Sequence, residues 1–145
     1  MKILVSRCLL GEPCRYDGRS KPVEALLTLA RQGHILVPVC PEEDSGLPTP
    51  RPPAEIQGDG RVVNRVGIDV TAAYTAGAYR ALKLAREHGC TVAVLKEKSP
   101  SCGNRQVYDG SFSGKLVEGQ GITARLLEEN GIRVLGESQL NELNV

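Results

Sequence analysis

Lys2-Ile3-Leu4-Val5-Ser6-Arg7-Cys8 is the stretch whose reading decides the fold. Ile3, Leu4 and Val5 make a continuous apolar run, the pattern of a strand buried on both faces. Arg7 to Ser20 follows as loop, with Gly11, Pro13, Asp17 and Gly18 in it. Pro22 then opens a helix to about Gln32. Val23, Leu26, Leu27 and Ala30 recur there at helical spacing, and Gly33 supplies the stop. Ile35 to Val39 is a second buried strand, in which Pro38 argues for an edge position because it cannot donate to a ladder.

The alternation continues along the chain. Cys40 to about Gly60 is a long loop rich in proline, closed by a hairpin around Ile56 and Val62 that turns at Gly58-Asp59-Gly60. Asp69 or Thr71 caps a long helix ending near His88. Ala73, Ala76, Gly77, Ala81, Leu84 and Ala85 give that helix a small-residue face suited to close packing. Thr91 to Leu95 is a third strand. Glu97 to Gly119 is a second polar loop, Gly121 to Asn130 a helix, and Ile132 to Leu135 a fourth strand. A short helix over Glu137 to Leu143 ends the pattern. Strands that alternate with helices imply parallel pairing and right-handed crossovers. The expected fold is a small three-layer α/β domain, Rossmann-like or flavodoxin-like, with a mainly parallel four-stranded sheet over residues 1–145.

Composition agrees with one globular domain of 145 residues. A net charge of +1 and 3% aromatic residues leave neither a basic face nor a stacking platform for nucleic acid. The apolar stretch at the start is too short for a signal peptide or a membrane span. The expectation is a cytoplasmic protein with neither nucleic-acid nor membrane partner. Composition carries no signal of oligomeric state. In a reducing compartment the five cysteines are metal ligands, reactive thiols or core residues rather than disulfides.

Strand order converts the cysteines into a site. Ligands of open parallel α/β sheets bind beyond the carboxyl ends of the strands. The first strand runs into Cys8, the second into Cys40, and the third into the loop that carries Cys102. Three converging thiols suit zinc, copper(I) or an iron–sulfur cluster. Structural zinc normally takes four ligands, often in short paired spacings, which are absent. Three ligands leave one position open. Cys90, at a strand start, is read as core. Cys14 lies near Cys8 and is read as a neighbour of the site, with a spare thiol and an oxidation partner of Cys8 as alternatives. Glu42 and Glu43 follow Cys40 and provide carboxylates for proton transfer. Ser99, Ser101 and Asn104 flank Cys102, and Arg15, Tyr16, Asp17, Arg51, Tyr108 and Asp109 are candidates for the rim. His34 and His88 are read as helix-end residues. No phosphate-binding glycine loop follows the first strand.

Several ordered motifs resemble one bacterial family. They are Ser6-Arg7-Cys8-Leu9-Leu10-Gly11, Cys14-Arg15-Tyr16-Asp17-Gly18, Val39-Cys40-Pro41-Glu42, Pro50-Arg51-Pro52-Pro53-Ala54-Glu55-Ile56, Leu95-Lys96, Ser99-Pro100-Ser101-Cys102-Gly103 and Tyr108-Asp109-Gly110-Ser111-Phe112-Ser113-Gly114. The family is the bacterial domain of unknown function 523, which includes thiouracil desulfidase. The resemblance implies a [4Fe–4S] cluster held by Cys8, Cys40 and Cys102, with one iron open to the sulfur of a thiolated pyrimidine or related small thio-compound. It gives an acid/base role to Glu42 and an assisting role to Ser99, or else Ser101, in a non-redox desulfidation. Glu43 and Asp44 depart from the pattern by adding carboxylates beside the site, where they are expected to bear on substrate choice. Two readings stand against this one: a zinc-binding structural or regulatory module, and a small-molecule-binding domain without catalysis.

Overall fold

A computed structural model describes residues 1–143. Its central sheet contains β1 (Lys2–Ser6), β2 (Ile35–Val39), β5 (Val92–Leu95) and β8 (Arg133–Gly136), in the order β2-β1-β5-β8, with every pairing parallel. Pro38 sits on an edge strand, as its missing donor requires. Two antiparallel hairpins stand apart from the sheet: β3 (Ala54–Ile56) with β4 (Val62–Asn64), and β6 (Gln106–Tyr108) with β7 (Leu116–Glu118). The helices are α1 (Glu24–Arg31), α2 (Pro41–Asp44), α3 (Thr71–His88) and α4 (Ile122–Glu129). Short 3-10 helices cover Arg7–Leu10 and Glu137–Glu142.

The three expected layers are present. On one face of the sheet, Ala81, Leu82 and Ala85 of α3 and Ala124 and Leu127 of α4 pack on Leu4, Ala93 and Leu95. On the other, Leu26 and Leu29 of α1 pack with Leu9 on Ile3, Val5 and Val94. Cys90 is buried in the first of these clusters, as expected of a core thiol.

Three expectations shift. The loop from Cys40 is not structureless, because Pro41 at the first helical position starts the single turn of α2. The loop from Glu97 contains the β6-β7 hairpin. The buried face of α3 includes Tyr74, Ala78 and Leu82, whereas Ala76 is exposed. Alanine carries little information about which face is inward, and Tyr74 is inward because its hydroxyl finds a buried partner.

Gly77 fixes how α3 meets the site. A β-carbon there would lie 2.2 Å from the carbonyl oxygen of Pro41. Glycine to alanine inside a helix normally stabilises by up to about 1 kcal/mol. Here the clash outweighs that gain, so Gly77→Ala is expected to destabilise the protein by roughly 1–3 kcal/mol, the usual cost of overpacking. A urea unfolding curve reads this directly, and a raised midpoint would show that the two elements can part freely.

Candidate active site

The carboxyl ends of β2, β1 and β5 are neighbours, and the chain leaves each of them into a cysteine loop. Cys8, Cys40 and Cys102 all line one cavity of about 520 Å³ at this edge. Cys14 lines it too. All four thiols are free and buried.

Each loop is held by identifiable contacts. The carbonyl of Cys8 accepts from the N–H groups of Gly11 (3.3 Å) and Lys21 (2.8 Å). Cys40 precedes α2, and its N–H donates to Asp44 Oδ2 at 3.3 Å. The Cys102 loop is docked on the start of α4. The N–H of Ile122 donates to Pro100 O at 2.9 Å, and those of Thr123 and Ala124 donate to Ser101 O at 2.8 and 3.2 Å. These are amide groups that a helix start leaves without intrahelical acceptors. Gly121 permits the approach, since a β-carbon there would meet Ser101 O at 2.5 Å.

The thiols form a chain of contacts. Cys40 Sγ donates to the Cys14 carbonyl at 3.8 Å. At the Cys14 thiol the neighbouring Cys40 lowers the pKa, but the neighbouring Cys8 and burial outweigh it and push the thiol up to about 12. The hydrogen bond with Cys14, then burial, raises Cys40. Burial, followed by the charge of Glu42, pushes Cys102 up to about 12, although the neighbouring Ser6 and Ser101 hydroxyls pull the other way. As free thiols, Cys14, Cys40 and Cys102 stay protonated at neutral pH.

Glu42 is nearly buried on the cavity wall. Its Oε2 accepts from the Tyr74 hydroxyl at 2.7 Å and faces Arg51 Nη2 at 3.2 Å. Among the described residues nothing donates to Oε1, which leaves that oxygen for the cavity. Burial and then the Glu42 charge raise the Tyr74 phenol, so it remains a donor. Arg51, with 5% of its side chain exposed, also donates from Nη2 to Cys14 O at 3.1 Å and from Nη1 to Thr49 Oγ1 at 2.9 Å. Its Nε is buried without a partner. A buried, unsatisfied guanidinium donor on a cavity wall is costly in a closed core, and it fits a site whose occupant carries acceptors.

The remaining candidates fall as follows. Ser99 lines the cavity, and its Oγ accepts from the N–H groups of Ser101 (3.1 Å) and Cys102 (3.0 Å), so its own proton is left to donate. The fully buried Ser101 lies 2.8 Å from Thr123 Oγ1 and is not on the cavity wall. Asn104 binds Gln139 at 2.6 Å, away from the cavity. Arg15, Tyr16, Arg51 and Tyr108 line the cavity; Asp17 and Asp109 do not. His34 and His88 lie outside it.

Glu43 and Asp44 are not among the residues that line the cavity. Both bind Arg7, at 2.9 and 2.8 Å. Burial alone would raise the Glu43 carboxyl, but hydrogen bonds from Thr49 and Arg7 outweigh it and hold it low. The two added carboxylates therefore lock α2 to the Cys8 loop. Tyr74, Ser6 and Lys96 are among the cavity residues that lacked a role in the sequence reading; the Lys96 ammonium lies 3.1 Å from the buried carboxylate of Glu137. Ser6 bridges β1 and β5 by accepting from the Lys96 N–H at 3.0 Å.

Fold and site together define an open parallel α/β domain with a thiol-walled cleft at its carboxyl edge. The chain belongs to the 2-thiouracil desulfurase family, whose sequence profile matches residues 3–139. It is 41% identical over 150 residues to the uncharacterized protein YbbK of Bacillus subtilis (strain 168), covering 97% of this chain and 99% of that one. It also superposes on the solved structure of the [4Fe-4S]-dependent thiouracil desulfidase TudS. The TM-score is 0.93 and the identity 50%, over 98% of this chain and 94% of that one.

Proposed function

We propose that the protein is a [4Fe–4S]-dependent desulfidase that converts a thiolated pyrimidine and water into the oxygenated base and hydrogen sulfide. The observation that carries this reading is the meeting of Cys8, Cys40 and Cys102 in one cavity, each from the loop that follows a different neighbouring strand. Among the described residues no group of three His, Cys, Asp or Glu side chains is disposed to grip a single metal ion. The three cysteines sit on separate strand loops without the short paired spacings of structural zinc, and in a polynuclear group each thiolate would meet its own iron. Cys8, Cys40 and Cys102 are the ligands in this reading, and Cys14 a neighbour. The cluster would supply an open iron as Lewis acid and sulfur acceptor.

The chain's own groups supply the proton chemistry. Glu42 Oε1 takes a proton from the attacking water as the carbon–oxygen bond forms, and the carbon–sulfur bond then breaks without any change of oxidation state. Tyr74 and Arg51 hold Oε2 and so aim Oε1 at the cavity. The Ser99 hydroxyl donates to the substrate. Free buried thiols fit a reducing compartment, and we place the protein in the cytoplasm. Among the described residues no helix is long and apolar enough to cross a membrane.

Anaerobically reconstituted protein is expected to carry about four irons and four sulfides per chain and to release sulfide from 2-thiouracil. Stoichiometric zinc without colour would favour the structural module. A loaded protein inert towards a panel of thio-bases would overturn the substrate class.

A further inference from the structure

Phe112, the chain's one phenylalanine, lines the same cavity, and an unusual arrangement holds it there. Its φ is +57°, in the left-handed region that side chains rarely adopt. Nothing in the turn chemistry needs a bulky residue at that position; glycine or asparagine would take it at lower cost. The conformation is imposed from the other hairpin. Glu55, on β3 and nearly buried, accepts with one oxygen from the N–H of Gly110 at 2.9 Å and from that of Phe112 at 3.2 Å. Gln57 Nε2 donates to Gly110 O at 3.2 Å, and Arg65 Nη2 donates to Phe112 O at 3.4 Å. The Arg65 guanidinium also lies over the ring, 5.9 Å from its centre. A buried carboxylate and Arg65 hold one aromatic residue whose backbone is strained, and Gln57 ties down the neighbouring Gly110. Strain that the surroundings over-determine in this way collects at ligand clamps.

We propose that the Phe112 ring, clamped by Glu55 and backed by Arg65, is the stacking surface for the flat ring of the substrate, and that it selects cyclic thio-bases over acyclic thio-compounds. This deepens the desulfidase reading and rests on it. Arg65 lies over one face of the ring, and a stacked base would take the other. The cavity's three tyrosines lack this clamp: Tyr74 is committed to Glu42, Tyr16 is 41% exposed, and Tyr108, on β6, has no cation over its ring and no side-chain hydrogen bond among the described residues.

The test uses the cluster-loaded protein and two probes. Uracil binding is measured by calorimetry, and sulfide release is followed from 2-thiouracil and from thiourea. Phe112→Ala and Phe112→Leu are expected to weaken uracil binding about ten-fold or more, in line with stacking on an aromatic side chain. KM for 2-thiouracil rises similarly, kcat changes little, and the preference for 2-thiouracil over thiourea in kcat/KM falls. Phe112→Tyr restores all of these. Because Phe112→Leu keeps the apolar bulk, equal iron content and melting temperature separate stacking from folding. Unchanged uracil affinity and KM in both variants, with an active wild type, would overturn the stacking surface and leave the desulfidase intact. Uracil binding that depends on Phe112 in a protein releasing no sulfide would remove the desulfidase alone. A wild type that neither binds uracil nor releases sulfide would remove both.

Discussion

Serine at position 8, 40 or 102 is expected to abolish iron loading, while Cys90→Ser retains it. The contrast is informative because all of these thiols are buried, so burial alone does not separate them. Cys90 packs among Ala85, Ile132 and Val134 on the sheet face away from α1, whereas the other three open on the cavity. A cluster held by three thiolates that loses one has two ligands left, and loading should fall to background rather than by a fraction. Cys14 makes the experiment sharp. It contacts both Cys8 and Cys40, so a competing trio of Cys8, Cys14 and Cys40 exists in the same wall. The loops after β1, β2 and β5 each supply one ligand already, and Cys14 would be a second from the β1 loop. Cys14→Ser should therefore keep its iron, and Cys102→Ser should lose it. The reverse result would move the ligand set to the competing trio. Equal loss from all five variants would point to folding instead. Iron and sulfide content after anaerobic reconstitution, read beside thermal melts, decides among these.

The sequence made the sheet legible because its strands are short continuous apolar runs closed by glycine and proline. It made the cysteine edge legible because parallel strands all point one way. What escaped it was small or cross-loop. Strands β6 and β7 have three residues each, too few to show alternation, and Val117 between Leu116 and Glu118 is exposed. Tyr74 was hidden among alanines, though a large polar side chain on a small-residue helix face is itself a signal that a partner waits for its hydroxyl. Glu43 and Asp44 read as cavity charges only because Arg7, more than thirty positions away in the chain, is invisible to local patterning. Phe112 stood in a quoted motif, but its left-handed backbone depends on Glu55, which contacts it across two hairpins.

Glu42→Gln should lower kcat by about 10²–10⁴-fold, the usual worth of a positioned general base, with the iron content unchanged. The substitution keeps the side chain's length and lets the amide oxygen accept from Tyr74 and Arg51, so α2 and the Cys40 loop stay in place. It removes the basic oxygen that faces the cavity. Tyr74→Phe makes a graded comparison. It deletes one donor to Oε2, while the Arg51 contact at 3.2 Å remains. A hydrogen bond to a charged group contributes roughly 1.5–3 kcal/mol, so the loss from Tyr74→Phe should be smaller than that from Glu42→Gln. It should also fall on kcat rather than KM, since Tyr74 positions the carboxylate and does not hold the substrate. Tyr74→Phe added to Glu42→Gln should cost little more, because the tyrosine acts through a base that is already gone. Full additivity in that double variant would mean that Tyr74 acts independently of Glu42. A Glu42→Gln enzyme with wild-type kcat would assign the proton transfer to another group, and the Ser99 hydroxyl, set on the same cavity wall, would be the next to test.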